Sequence, residues 1–392
     1  MTMRSSRWLG AFVTLAVAVT SGWLLSAQAQ APAGVVKLGL LGSVTGPHAG
    51  WDLPASEGVR MAVKELNQRG GVTVGGKKYT FAIVEEDAQS KPEFAVGGAQ
   101  KILGDSDIHI VMGVLTSTPG MAAANLLAKS KVLYIGGFTA MDGLVGKPGN
   151  ELLFRALNAD TTTATVFVPT VTKELGIRRI GALFPNEDVS KSIIQTYQPL
   201  FEREGVQMVA VEYFQPGTTD FAPVLRKFQR QGLDGLFVGY SDPDVEAIVR
   251  QSLEVGGLPT RFIYRGGSGA PGRKYAEKIE AFAWQILTRD LDTGNDPKVK
   301  AWMGRYKTET KKDITPTTYW ALTFYDTVFM LGQAMEAAGT VTDAKAIAEK
   351  LKGSSYDGVR AMRYDREGRA RTDIDIGILK GGKVYSVAAK MQ

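Results

Sequence analysis

Three hydroxyl side chains stand side by side in the stretch Gly113-Val114-Leu115-Thr116-Ser117-Thr118-Pro119-Gly120. The apolar run Ile108-His109-Ile110-Val111-Met112 before it predicts a buried strand. Met121, Ala124, Leu127 and Ala128 after it keep a helical period. Ser117 or Thr118 can cap that helix. Pro119 suits its first turn, where the missing N–H would have no partner in any case. A strand, a hydroxyl-rich turn and a helix N-terminus make an anion site, good for a carboxylate or a phosphate. The same hydroxyls can also do no more than cap the helix.

Other candidate groups fall near the ends of predicted strands. Tyr240 follows Gly235-Leu236-Phe237-Val238-Gly239 and can serve as a wall or a hydrogen-bond donor. Asp242, just before Pro243, is the natural cap of the next helix, which leaves Asp244 freer for a ligand. Arg265 follows Arg261-Phe262-Ile263-Tyr264 and could meet a second acidic group, but the surface is its expected place. Trp51 and Phe138 suit a flat or bulky apolar group, although Trp51 can equally be an ordinary core aromatic.

Several chemistries are excluded. The sequence has no cysteine, so it has no disulfide, thiolate metal site or Cys nucleophile. It has two histidines, His48 and His109, and His109 falls inside a predicted strand, so no transition-metal site is expected. No Gly-x-Ser-x-Gly elbow, P-loop or paired-His motif occurs. Gly267-Ser268-Gly269-Ala270-Pro271-Gly272 satisfies the dinucleotide glycine spacing, but Pro271 is in the way and no helix is expected to open there. The net charge is +6, with acids and bases mixed along the chain, which does not indicate nucleic-acid binding. No cofactor is expected.

Stepping outward, strands and helices alternate. Val35–Leu41 reads as a strand buried on both faces. A helix is expected to begin near Pro54 and to stop at Arg69-Gly70-Gly71. A hairpin at Gly75-Gly76, a strand at Tyr79–Val84, a helix at Pro92–Leu103 and a short strand at Val132–Ile135 follow. The pattern restarts with a helix from Asp160 to about Leu175, and a further helix near Ser190–Glu204 is kinked at Pro199. Late helices are expected near Pro297–Thr308, Thr317–Ala338 and Asp343–Leu351, and a closing hairpin around Gly381-Gly382. This predicts an α/β fold with two doubly wound lobes, whose ligands bind beyond the C-terminal strand ends. Chain crossings are expected near Phe154–Asp160, Phe282–Gln285 and Arg371–Asp373.

The N-terminus carries its own signal. Arg4 and Arg7 precede an apolar run from Trp8 to Leu25, and then comes Ser26-Ala27-Gln28-Ala29-Gln30-Ala31. A basic start, a short apolar core and an Ala-x-Ala site make a secretory signal peptide, cleaved after Ala29. The small residues and the lack of charge on the far side argue against a membrane anchor. Losing two arginines leaves a net charge of +4. No later stretch is long and apolar enough to span a bilayer.

Several stretches, in this order, resemble the periplasmic branched-chain amino-acid (Leu/Ile/Val) binding protein family, the solute receptors of ABC importers. They are Gly46-Pro47 through Gly58-Val59-Arg60, Gly113 to Pro119, Phe154-Arg155 with Asp160, Gly217-Thr218-Thr219-Asp220-Phe221, Tyr240-Ser241-Asp242-Pro243-Asp244, and Tyr325-Asp326 with Ala334. The resemblance covers nearly all of the mature chain. It implies the type I periplasmic binding fold, two lobes joined by three crossing segments. Residues 1–29 would be the signal peptide, 34–154 plus 284–372 the N-terminal lobe, and 155–283 plus 373–392 the C-terminal lobe.

The resemblance also implies a ligand between the lobes. Trp51 matches an aromatic position against the ligand side chain. Ser117, or its neighbour Thr116, matches the group that receives the α-carboxylate. Thr139 matches a threonine that helps hold the amino-acid group, and Asp244 an acid, usually Glu, that binds the α-ammonium. With Phe138 and Tyr240 these form the candidate ligand-binding set. Val189 stands where the family often has a pocket Tyr, Gly136-Gly137-Phe138 departs from a Pro-containing turn, and the usual disulfide is missing. Ligand identity is therefore open between an amino acid, a related small carboxylate, an aromatic acid and an amide. The implied protein is a monomeric periplasmic receptor, not an enzyme, that hands its ligand to an inner-membrane ABC permease. A sensor and an exported α/β enzyme using the same cleft are the rival classes.

Overall fold

The computed structural model describes residues 32–137, 143–239, 241–266, 268–286, 296–315 and 317–389. The signal-peptide reading of residues 1–29 therefore lies outside the described residues. The chain opens with β1 (Gly34–Gly42), α1 (Ala49–Gln68), β2 (Val72–Val74), β3 (Lys77–Asp87) and α2 (Pro92–Leu103). It continues with β4 (Ile108–Gly113), α3 (Ser117–Leu127), β5 (Leu133–Gly136) and β6 (Leu153–Arg155). These strands form one sheet in the order β2-β3-β1-β4-β5-β6, parallel except for the β2–β3 hairpin.

A second run follows: α4 (Asp160–Leu175), β7 (Arg179–Pro185), α5 (Asp188–Arg203), β8 (Gln207–Phe214) and α6 (Ala222–Gln229). Then come β9 (Gly235–Gly239), α7 (Asp242–Val255), β10 (Arg261–Arg265), α8 (Ala270–Lys274) and β11 (Ala281–Ile286). The chain next forms α9 (Pro297–Thr310), α10 (Thr318–Ala338), α11 (Ala344–Leu351), β12 (Ser355–Tyr356), β13 (Met362–Tyr364) and β14 (Ala370–Arg371). It closes with β15 (Ile374–Lys380) and β16 (Lys383–Ala389). The second sheet runs β16-β15-β11-β10-β9-β7-β8, and β12, β13 and β14 pair separately.

The sheets are covered on both faces, as expected of parallel strands that read as continuous apolar runs. Leu38 and Leu40 of β1 share a core with Val59 of α1, Trp302 of α9, Phe324 and Leu331 of α10 and Ile347 of α11. The late helices thus return to the first sheet. Phe237, Ile263 and Ile376 share a core with Phe167 of α4 and Tyr197 of α5 on the second. Phe282–Gln285 lies within β11, in register with β10 on one side and β15 on the other. The chain passes from the first sheet to α4 through residues 156–159, and from β14 to β15 through 372 and 373.

The α1 helix begins at Ala49, not near Pro54, and Pro54 lies within it. A proline there gives up one N–H bond to the preceding turn. The earlier start is set by tertiary contact, since Asp52 is drawn into the β4–α3 turn described below. The small sheet β12-β13-β14 has strands of two or three residues, too short to show a period in sequence.

Helices α1 and α10 cross at Gly58. A Cβ on Gly58 would lie 1.9 Å from the Ala321 carbonyl oxygen, which is backbone and cannot swing aside. Gly58→Ala is expected to lower unfolding stability by about 1–3 kcal/mol or more. Urea denaturation reads this directly, and a variant as stable as the parent would show that the two helices separate freely.

Candidate ligand-binding site

The hydroxyl-rich stretch forms a strained turn. β4 ends at Gly113 with φ +111°, where a Cβ would meet the Leu41 carbonyl oxygen at 2.0 Å. Val114 follows with φ +39°, and its N–H donates to that same carbonyl at 2.6 Å. Left-handed backbone at a β-branched residue persists only where its surroundings hold it. Asp52 of α1 supplies part of that hold. Its carboxylate accepts from the Leu115 N–H at 2.6 Å, the Thr116 N–H at 3.4 Å and the Thr116 hydroxyl at 2.9 Å. Burial pushes the Asp52 carboxyl up to about 6, against the pull of these donors.

Thr116, not Ser117 or Thr118, takes the N-cap position of α3, and its hydroxyl is not used as a cap. It turns to Asp52, because a buried carboxylate is the stronger acceptor. Ser117 and Thr118 begin the helix instead and line a cavity of about 100 Å³. The positive end of the α3 dipole therefore faces that cavity.

The cavity lies at the C-terminal ends of parallel strands in both sheets. From the first sheet and its helices come His48, Trp51, the turn Leu115–Thr118 and Gly137, with Tyr319 and Trp320 of α10 and Arg360 of the β12–β13 loop. From the second come Asp160 at the start of α4, Val189 of α5, Arg265 and Gly266 after β10, and Gln285 of β11. His48 and Trp51 stack with ring centroids 5.7 Å apart and planes 8° apart.

Leu157 and Asn158 of the first crossing segment complete the wall. The Asn158 amide clamps the other crossing. Its Nδ2 donates to the Thr372 carbonyl at 2.7 Å, and its Oδ1 accepts from the Thr372 N–H at 2.9 Å.

The Arg265 side chain is only 15% exposed and forms an ion pair with Asp160 across the α4 N-terminus, in place of the expected surface position. Burial alone would favour the neutral guanidine, but the Asp160 carboxylate outweighs it and raises the Arg265 pKa. Arg360 is also buried; one of its amino groups donates to the Thr323 hydroxyl at 2.6 Å and the other to the Thr372 hydroxyl at 2.8 Å. Its guanidinium carbon lies 5.9 Å from the centroid of the Tyr319 ring.

Of the candidate residues, Trp51, Thr116 and Ser117 come together on the cavity wall. Phe138, Thr139 and Tyr240 lie outside the described residues. Asp244 is not among the residues that line the cavity. Ser241, not Asp242, caps α7: its hydroxyl accepts from the Asp244 N–H at 3.3 Å and donates to the Asp244 carboxylate at 2.5 Å. Asp242 is taken up elsewhere, accepting from the Tyr264 hydroxyl at 2.9 Å and the Ser268 hydroxyl at 2.6 Å.

Arg360, Asp160 and Tyr319 were not in the candidate set. Asp160 marks a helix start and one of the stretches that carry the resemblance, with no ligand contact expected of it. Arg360 sits in a loop with no period, and nothing in its sequence neighbourhood marks it. For Arg265 a signal existed, since it follows the C-terminal end of a parallel strand, where ligands of such sheets bind.

Among the described residues no group of three or more His, Asp and Glu could hold a metal, and no helix is long and apolar enough to cross a membrane.

The family model described as "Periplasmic binding protein" matches residues 35–383. The chain belongs to the periplasmic binding protein family. A relative within the family, the leucine-, isoleucine-, valine-, threonine- and alanine-binding protein of Pseudomonas aeruginosa, is 24% identical over 346 residues, or 88% of each chain. The LivJ substrate binding protein of a Streptococcus pneumoniae branched-chain amino acid transporter, solved with isoleucine, superposes with a TM-score of 0.75 at 22% identity, covering 91% of this chain and 99% of that one. An R. palustris ABC transporter solute binding protein solved with benzoate gives 0.74 at 16% identity, covering 91% and 96%. This periplasmic binding protein thus has the two-lobed type I fold of these structures.

Proposed function

We propose that the protein is the solute receptor of an ABC importer and traps an amino acid or a related small carboxylate between its two sheets. One observation carries this. The cavity takes the α3 N-terminal turn from one half and Arg265 with Asp160 from the other, so a single small ligand touches both. The first sheet with α1–α3 and α9–α11 would move as one lobe, and the second sheet, with all of β11 and β15 and helices α4–α8, as the other; the 283/284 boundary expected from the sequence thus shifts to beyond Ile286. Closing them removes water from the ligand and gives it differential affinity for the closed form. The Asn158–Thr372 clamp keeps two of the crossings together during that motion.

In this reading Ser117 and the α3 N-terminal turn hold the carboxylate, Thr116 positions that turn through Asp52, and Trp51 packs on the ligand side chain, with Phe138, Thr139 and Tyr240 as further candidates for ligand contact. The receptor is a monomer, carries out no catalysis, and delivers its ligand to an inner-membrane permease. Export follows cleavage after Ala29, so N-terminal sequencing of the mature protein should begin at Gln30.

The stacked His48–Trp51 pair, with Tyr319 and Trp320 on the same wall, favours a second reading in which the ligand is an aromatic carboxylate.

Titration calorimetry with leucine, phenylalanine, 4-methylpentanoate and benzoate tests both readings. At least one should bind, and Ser117→Ala should weaken it by roughly 10- to 100-fold, the loss of one hydrogen bond to a charged group. Failure of every carboxylate to bind the parent protein would defeat the receptor reading. Small-angle scattering should show compaction with bound ligand.

A further inference from the structure

We propose that Arg360 anchors the ligand, and that the site therefore takes a monoanionic carboxylate without an ammonium group. The inference rests on the receptor reading and specifies its ligand.

Arg360 is 8% exposed and lines the cavity. Two of its nitrogens hold Thr323 and Thr372, while its Nε is buried without a hydrogen-bond partner. A buried guanidinium donor left unpaired is costly, and a carboxylate is its natural complement. The Tyr319 hydroxyl, on the same wall and under the same guanidinium, is also buried and unpartnered. Two unpartnered donors thus sit on residues that line the same cavity as the α3 N-terminal turn.

The charge balance selects the ligand. Among the described residues the fixed charges on the cavity wall are Arg265, Arg360 and Asp160, and Asp160 is already paired with Arg265. His48 lies on the same wall, with burial holding its pKa below the usual range, so it is neutral at pH 7. Behind the wall, Asp52 is hydrogen-bonded by Leu115 and Thr116, and Asp326 is held by the Val359 and Arg360 N–H groups and faces the Arg360 guanidinium charge as well. Asp244, the acid expected to receive an ammonium, is off the wall and bonded to Ser241. On the described wall itself the guanidiniums outnumber the carboxylates by one, which favours a monoanion over a zwitterion. An ammonium would have to share Asp160 with the Arg265 guanidinium beside it.

Calorimetry with a matched series on the full mature protein decides this: 4-methylpentanoate, 2-hydroxy-4-methylpentanoate, leucine and 4-methylpentanamide, with benzoate, phenylalanine and benzamide as the aromatic set. The carboxylates without an ammonium should bind at least tenfold more tightly than leucine, phenylalanine and the amides. Arg360→Gln should weaken those carboxylates about 30-fold or more and leave amide binding within threefold. Arg360→Lys should fall between. A purely structural role for Arg360 would weaken acids and amides alike, and that result overturns the proposal. So does tighter binding of leucine or phenylalanine than of their des-amino partners, or carboxylate affinity unchanged in Arg360→Gln. If Arg360→Gln does not fold, Arg360→Lys and the parent's preference across the series still decide. If the amino acids bind and the simple acids do not, the inference fails while the receptor reading stands. If no member of either set binds, both fail.

Discussion

Arg265→Met is expected to lower unfolding stability by about 3–5 kcal/mol. Asp160 is 6% exposed and depends on Arg265 for its charge partner. Removing the guanidinium strands a carboxylate in a low-dielectric site, which costs more than the pair itself contributed. The double variant Arg265→Met with Asp160→Asn should recover most of the loss, since the orphan charge is then gone. Urea unfolding at pH 7 of both variants measures this. A loss below 1 kcal/mol in Arg265→Met would show that water reaches Asp160 and screens it.

Stability should rise, not fall, as the pH is lowered from 7 toward 5. Asp52 and Asp326 are each pushed up to about 6 by burial, Asp52 against the Leu115 and Thr116 donors and Asp326 against the Arg360 and Val359 N–H groups. An unfolded aspartate releases its proton near 4. Between those values the folded state carries the extra protons. The stabilisation is therefore complete below about pH 4 and is lost as the pH climbs through about 6. Each group contributes up to roughly 2–3 kcal/mol over that window.

Glu65 and Asp87 run the other way. Tyr325 and Arg305 hold the Glu65 carboxyl below its ordinary range against partial burial, and Thr45 and backbone N–H groups do the same for Asp87. Their contribution disappears at more acid pH. The stability maximum should thus lie in mildly acid solution. Urea midpoints measured between pH 4.5 and 7.5 would trace it, and Asp52→Asn should flatten about half of the slope. A profile identical in Asp52→Asn would show that Asp52 ionises as an exposed carboxylate does.

The α3 turn ties these effects to ligand capture. The same Asp52 that titrates holds Leu115 and Thr116 in place, and Ser117 is the next residue. The left-handed backbone at Gly113 and Val114 is kept by tertiary contacts, so anything that loosens Asp52 also loosens the anion-facing end of α3.

Local chemistry was legible in the sequence. The α4 start at Asp160, the α2 span Pro92–Leu103 and the hairpin at Gly381-Gly382 follow from helical period, proline placement and adjacent glycines, and all three appear where expected. The strand–turn–helix around Ser117 was legible for the same reason, because its signals lie within a dozen residues. What tertiary structure alone decided is which polar group meets which. Asp52 reaches Thr116 across 64 positions, Arg265 reaches Asp160 across 105, and Asn158 reaches Thr372 across 214. Periodicity records burial along one element and carries no information on such pairs. Asp242 and Asp244 show the limit most clearly. The local capping rule made Asp242 the cap and Asp244 free, but Tyr264 and Ser268 claimed Asp242 and left Ser241 to cap α7 and bind Asp244. A cap contributes only about 1 kcal/mol, so a buried network elsewhere in the fold is enough to reassign it.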